Sequence, residues 1–297
     1  MNNYENQLFD YCVNGNVDGF YASVYGIFRT LYDHNYDVRF LFKGQLTVEK
    51  LRRYRIIIYP APYLMDEKTS EIFRQWVYEG GILIGEAFFG AYQREKGLHS
   101  YNYIGMGFEE VIGVKTAKAS ANVKFMNAYR KDWGEDADDN SVPFRLTEEN
   151  GNRVFCGFRY QHGARCESAK QIAPFPDGST AVSENVYGKG KAYFVGSHCG
   201  RYAASHLQED KAQIFPYLLR RAGFLPERWT EGFRVDKLYG KSADYLILQA
   251  FRNGEYMVDM TDYKACFDVF AKQKLKADHP VTVGLQSGEI KLLRLEK

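Results

Sequence analysis

The segment ILIGEAFFG, residues 82–90, is a strand running into a glycine-flanked turn, the place where α/β enzymes expose a nucleophile. The turn offers Glu86 and Ala87, and neither Cys nor Ser occupies it. A second strand, AYFVGSHCG (192–200), delivers His198 and Cys199 to the same carboxyl-end edge of a sheet, where open α/β folds bind ligands. Glu86 and His198 could therefore face one crevice as a general acid and base, with Arg201 beside them as a third ligand-binding candidate. A structural role for the pair is the favoured alternative. Cys199 does not form a dyad with His198, because adjacent strand residues point to opposite faces.

Other motifs dissolve on inspection. Gly188-Lys189-Gly190-Lys191 lacks the Ser or Thr and the earlier glycine of a phosphate loop, and Gly240-Lys241-Ser242 has Val235 where that glycine belongs. Nor does Gly188 open a dinucleotide fingerprint, since Tyr193 stands at its sixth position; a glycine turn feeding a strand is the simpler reading. Asp136, Asp138 and Asn140 imitate the start of a calcium loop, but Ser141 replaces its glycine and Thr147 its bidentate Glu. The neighbouring pairs Glu109-Glu110 and Glu148-Glu149 make poor glycosidase carboxylates, which must flank a bond from separate rigid elements. No cofactor or metal is expected. Aromatic residues, 16% of the chain, suit sugar stacking as well as cores and interfaces; Trp133 and Trp229 are candidate stacking residues.

The elements that must position these residues alternate strand and helix through the first 226 residues, the rhythm of a parallel sheet covered on both faces. Strands are expected at Gln7 to Cys12, Asp37 to Phe42, Arg55 to Tyr59, Ile82 to Gly85 and Lys191 to Gly196, with Ile56-Ile57-Ile58 as a central strand. Phe20, Val24, Ile27, Phe28 and Leu31 share one helix face. Asp66 caps a second helix whose stripe is Ile72, Phe73, Trp76 and Val77, stopped by Gly80-Gly81. Ser205 and Gln208 have capping-box spacing before a third, which Pro216 should kink or divide, and Gly223 closes it. Residues 115–190 read as strands and excursions (Asn122 to Met126, Arg153 to Phe158, Thr180 to Val186) with an acidic loop, Glu135 to Asn140. From about Phe233 only strands and tight turns follow, including Tyr245 to Phe251 and Glu255 to Met260 about Asn253-Gly254, a hairpin signal. With Cys266 to Phe270, Val281 to Leu285 and Ile290 to Leu295 these make a small antiparallel sandwich. Domains are thus expected at 1–226 and 227–297.

The 297 residues carry 39 Lys and Arg against 37 Asp and Glu, so no excess charge attracts a nucleic acid. A hydrophobic share of 45% with 26% charged residues argues for a folded chain, and no apolar run is long enough to span a membrane. The N-terminus shows no export signal, and the odd, scattered set Cys12, Cys156, Cys166, Cys199 and Cys266 fits free thiols; a cytoplasmic location is expected.

Four stretches together resemble the middle, trimerisation domain of glycoside hydrolase family 42 β-galactosidases. They are Phe20 to Phe42, Leu51 to Glu86 (LRRYRIIIYPAPYLMDEKTSEIFRQWVYEGGILIGE), Val186 to Ser197 (VYGKGKAYFVGS) and the RRAGF of Arg220 to Phe224; Phe233 to Leu295 is similar to the family's small C-terminal β-domain. The resemblance implies a flavodoxin-like, class I glutamine amidotransferase-like α/β fold without amidotransferase activity, in keeping with Ala87 in the nucleophile turn. It implies a homo-oligomer, a trimer, whose middle domain helps wall a neighbouring active site. The family's catalytic glutamates sit on an N-terminal (β/α)8 barrel, so none carries over to any position here. A barrel partner and a carbohydrate are the implied associates. Met1 to Phe9 is more polar than the family's first strand.

Overall fold

The computed structural model describes residues 4–14, 18–95, 98–99, 103–121, 141–148, 153–207, 209–226, 232–275 and 280–297. These group into two compact units, residues 1–30 with 39–222, and 31–38 with 223–297. None of the described helices is long and apolar enough to cross a membrane.

In the first unit the sheet strands are β1 (Ile56–Tyr59), β2 (Ile82–Glu86), β3 (Val114–Ala121), β4 (Tyr160–Cys166), β5 (Lys170–Pro174), β6 (Thr180–Tyr187) and β7 (Gly190–Val195). Their order is β1-β2-β7-β6-β4-β3, with β5 pairing on β6. Only the β1-β2-β7 portion is parallel, Ile57 lying opposite Leu83 and Ile84 opposite Tyr193; the remaining pairings are antiparallel. The sheet is therefore mixed rather than parallel throughout. The reason lies in the linkers: the two-residue turn Gly188-Lys189, Gly188 at φ 60°, leaves no room for the crossover that a parallel β6–β7 pair needs. The Ile56-Ile57-Ile58 strand is an end strand, not a central one, and its burial alternates, with Ile57 and Tyr59 inside and Ile56 and Ile58 half-buried.

Helix α1 (Tyr4–Asn14) and helix α2 (Asp18–Asp33) open the chain. The first replaces the strand expected at Gln7 to Cys12. Gln7 and Asp10 break the alternation a strand requires, while Phe9 packs on Tyr92 at 4.4 Å and Tyr63 at 5.8 Å. The strand expected at Asp37 to Phe42 is reduced to an isolated bridge at Phe42, because Leu41 is the one deeply buried residue of that run and Phe40 and Phe42 are about half exposed.

Helix α3 (Glu67–Tyr78) is capped by Asp66, whose carboxylate accepts from the Thr69 N–H at 2.7 Å. Phe73, Trp76 and Val77 form its buried stripe, and the Gly80 N–H closes it on Val77 O. Helices α4 (Phe108–Ile112), α5 (Cys199–Ser205) and α6 (Ile214–Arg221) also belong to the unit. Ser205 ends α5 rather than capping α6, and Gln208 lies outside the described residues. Pro216 neither kinks nor divides α6: it is the third residue, where its missing N–H would have had no intrahelical partner.

The second unit holds an antiparallel sheet and a two-stranded ribbon. Its strands are β8 (Phe233–Leu238), β9 (Ala243–Ala250), β10 (Gly254–Val258), β11 (Ala265–Asp268), β12 (Gln273–Leu275), β13 (Val281–Leu285) and β14 (Ile290–Glu296). The sheet runs β8-β9-β14-β11-β12 and the ribbon is β10-β13. Asn253-Gly254 consequently does not close a β9–β10 hairpin, because both edges of β9 are occupied, and the Asn253 carboxamide oxygen instead accepts from the Ser287 N–H. Leu248, Cys266, Leu293 and Val258 share one core. Residues 31–38 join it through Asn35, which donates to Phe233 O and accepts from the Val235 N–H, both at 2.7 Å. The expected strand Asn122 to Met126, the acidic loop with Asp136, Asp138 and Asn140, Trp133, Trp229 and the inter-domain segment 227–231 fall outside the described residues.

Helices α2 and α5 cross at two glycines. A Cβ on Gly26 would lie 2.0 Å from Gly200 O and 2.6 Å from Ala204 N. Gly26→Ala should therefore destabilise the first unit by about 2 kcal/mol despite the better helix propensity of Ala, whereas Gly44→Ala, with nothing within 4 Å, should stay within about 0.5 kcal/mol. Urea midpoints of the two variants check this.

Candidate functional site

The carboxyl ends of β1, β2 and β7 meet at one edge of the sheet, and the sequence candidates lie there. Glu86, the last residue of β2, is fully buried. Its Oε2 accepts from the Ala61 N–H at 2.9 Å and its Oε1 from the Gly200 N–H at 2.7 Å. Burial dominates and pushes its pKa up to about 7, against the opposing pull of the Gly200 and Ala61 N–H groups. Gly200 comes from the start of α5 and Ala61 from the loop after β1; α2 crosses α5 at Gly200, where a Cβ would lie 2.5 Å from Ser23 O.

His198, the residue before α5, turns to other partners. Its Nε2 lies 2.7 Å from the Tyr63 hydroxyl, and the rings of Tyr160, Tyr63 and Phe88 surround it at 5.1, 5.4 and 6.0 Å. Burial, aided by the Arg159 and Arg201 charges, drives its pKa down to about 3, so the imidazole is neutral. Glu86 and His198 thus share an edge while engaging separate partners. Arg201, partly exposed, places its guanidinium 5.3 Å over the Phe158 ring. Burial raises the Cys199 thiol well above its ordinary value, which suppresses the thiolate a nucleophile needs.

Three residues escaped the sequence. Phe88 takes the strained position of the turn, φ 63°, so the residue presented where a nucleophile would stand is an aromatic ring rather than Ala87. The second is His162, fully buried in β4. Its Nδ1 accepts the Phe88 N–H at 3.1 Å, which leaves the proton on Nε2 to donate to Thr116 Oγ1 at 2.8 Å, and its ring stacks on Phe88 at 5.1 Å. Burial holds it neutral, with a pKa near 3. The third is Arg159, at φ 67°, whose guanidinium lies 5.6 Å from the Tyr160 ring. A histidine within a strand is the signal that could have found His162; nothing local marks Phe88 or Arg159. The arrangement can hold a flat ligand against aromatic faces, but it exposes no activated nucleophile. Among the described residues no three His, Cys, Asp or Glu side chains converge as metal ligands.

The family model "Beta-galactosidase trimerisation domain" matches residues 20–214. Beta-galactosidase bgaB of Geobacillus kaustophilus is 26% identical over 179 residues, 58% of this chain and 23% of that protein; Beta-galactosidase LacZ of Heyndrickxia coagulans is 24% identical over 199 residues, 64% and 26%. The matched stretch thus spans about a quarter of these curated relatives. Among solved structures, the β-galactosidase from Bacillus circulans sp. alkalophilus superposes with a TM-score of 0.67 at 18% identity, over 93% of this chain and 37% of that one. Gan42B, a GH42 β-galactosidase from G. stearothermophilus, gives 0.68 at 16%, over 94% and 36%. At such identity the likeness is one of fold.

Folded Glu86 keeps its proton up to about pH 7, and unfolded Glu releases it near 4.5. Its contribution to stability is complete below 4.5 and is lost as the pH rises through 7, a change of about 3 kcal/mol. The two histidines act oppositely: their contribution is complete above 6.5 and is lost as the pH falls toward 3. They are common to the parent and to Glu86→Gln, so the stability difference between the two proteins isolates Glu86. That difference should move in favour of the Gln variant by about 3 kcal/mol from pH 4.5 to above 7, read from urea melts across pH.

Proposed function

The chain belongs to the β-galactosidase trimerisation domain family, and from that premise we propose that it is a non-catalytic oligomerisation and accessory portion of a β-galactosidase-like glycoside hydrolase, acting in carbohydrate metabolism. The family match over residues 20–214 carries this reading. The turn supports it: where an α/β enzyme would show Ser or Cys, this chain shows Phe88 at φ 63° above a carboxyl engaged by backbone donors. Within the same proposal the domain of residues 1–226 is amidotransferase-like and that of residues 227–297 a β-sandwich. The associates are further copies of the chain, a trimer, together with a catalytic barrel. Among the described residues Cys156, Cys166, Cys199 and Cys266 are free thiols, which agrees with a cytoplasmic setting.

A second reading rests on the sheet-edge crevice, where Glu86, His198 and Arg201 would serve a small hydrolase or a carbohydrate-binding protein. The ring of Tyr63, Phe88 and Tyr160 about His198 favours it, being a surface on which a sugar could stack.

Light scattering of the purified chain should give a trimer mass, and a monomer at all concentrations would remove the assembly reading. Nitrophenyl glycosides should not turn over; if hydrolysis is found and His198→Ala abolishes it, the second reading replaces the first.

A further inference from the structure

Away from the sheet edge, the first unit contains a cleft of about 650 Å³ between α1, α2, the segment 42–46 and the start of α3. That volume falls within the range of small-molecule sites, roughly 300–1,000 Å³. Its walls combine two kinds of surface. Phe42 and Tyr21 offer rings that are 50% and 46% exposed. Between them Lys43 is ion-paired with both Glu5 and Asp66, and Arg94 reaches the other Glu5 oxygen at 3.2 Å.

This lattice selects among ligand classes. Lys43 has its charge matched by two carboxylates, so an anion seated on Lys43 would have to displace Glu5 or Asp66, while Lys68 lines the same cleft as an exposed cation. A ligand that is itself both donor and acceptor need not. Its hydroxyls can donate to the second lone pairs of Glu5 and Asp66 while accepting from Lys43 and Arg94. A flat face of C–H groups would lie on Phe42 or Tyr21, whose exposed rings otherwise face water. The paired charges of Lys43 and Arg94 beside exposed rings match a neutral polyhydroxylated ring, to whose hydroxyls Lys68 adds a further donor.

We propose that the cleft walled by Phe42 and Tyr21, with the Glu5–Lys43–Asp66 ion pairs and Arg94 between them, is a binding site for a neutral saccharide. This stands independently of the assembly reading, since the cleft is built within the first unit alone.

The test is saturation-transfer NMR on the full chain, titrated separately with D-galactose, D-glucose, lactose and inorganic phosphate. At least one sugar should bind saturably, and Phe42→Ala and Tyr21→Ala should each weaken it about tenfold, the loss of one stacking face. Both rings are about half exposed, so the variants should fold, which circular dichroism verifies. The proposal is overturned by phosphate alone binding, by no saturable signal from any of the three sugars, or by equal affinity in the parent and both variants. A sugar lost in His198→Ala but retained in Phe42→Ala belongs to the sheet-edge crevice and also overturns it.

Discussion

A carboxyl group buried without a cation holds the working edge of this protein together. Glu86 ends β2 and accepts N–H groups from the Ala61 turn and from the start of α5, so one side chain ties three segments that are distant in sequence. Nearby, His162 does the same for the next turn by accepting the Phe88 N–H. Ala61 and Phe88 are two of the non-glycine residues at positive φ, 37° and 63°. Strained backbone of this kind persists only where its surroundings over-determine it, and here each strained N–H is held by a buried side chain. Deleting either acceptor would leave an unmatched buried donor as well as the strain.

The same constraint shapes what the edge can do. A carboxyl occupied by backbone donors and an imidazole held neutral by burial are poorly placed to exchange protons with a ligand. The Cys199 thiol is suppressed by burial as well. What reaches the surface is aromatic and cationic: Phe88, Tyr160 and Tyr103 remain partly exposed around the histidines, as do Arg159 and Arg201. Such an edge suits contact with another surface or with a flat ligand better than bond-breaking, which agrees with a family described by its assembly.

Much of this was written locally. The Asp66 cap, the Phe73–Trp76–Val77 stripe, the Gly80 stop and the β2 and β7 strands follow from period and capping rules, because short-range sterics and burial decide them. What was hidden depends on pairing at a distance. Whether Ile56-Ile57-Ile58 is central or terminal depends on what lies beside it, and Asn253-Gly254 could not close a hairpin once β8 and β14 had taken both edges of β9. Gln7 to Cys12 carries enough apolar residues to pass for a strand, but the polar Gln7 and Asp10 stand three apart, at helical rather than alternating spacing. At the site, Glu86 and His198 were legible from strand ends and turn glycines. Phe88 was not, since the turn's φ values come from the Glu86 and His162 contacts rather than from any residue preference in AFFG.

The closed sheet edge rests on Glu86 being sealed from water among backbone donors. Difference infrared titration of the parent against Glu86→Gln reads that carboxyl directly. A band that loses its proton near pH 7 and is missing from the Gln variant is the predicted result. Ionisation near the ordinary value of 4.5 would show an open, solvated crevice and contradict the account.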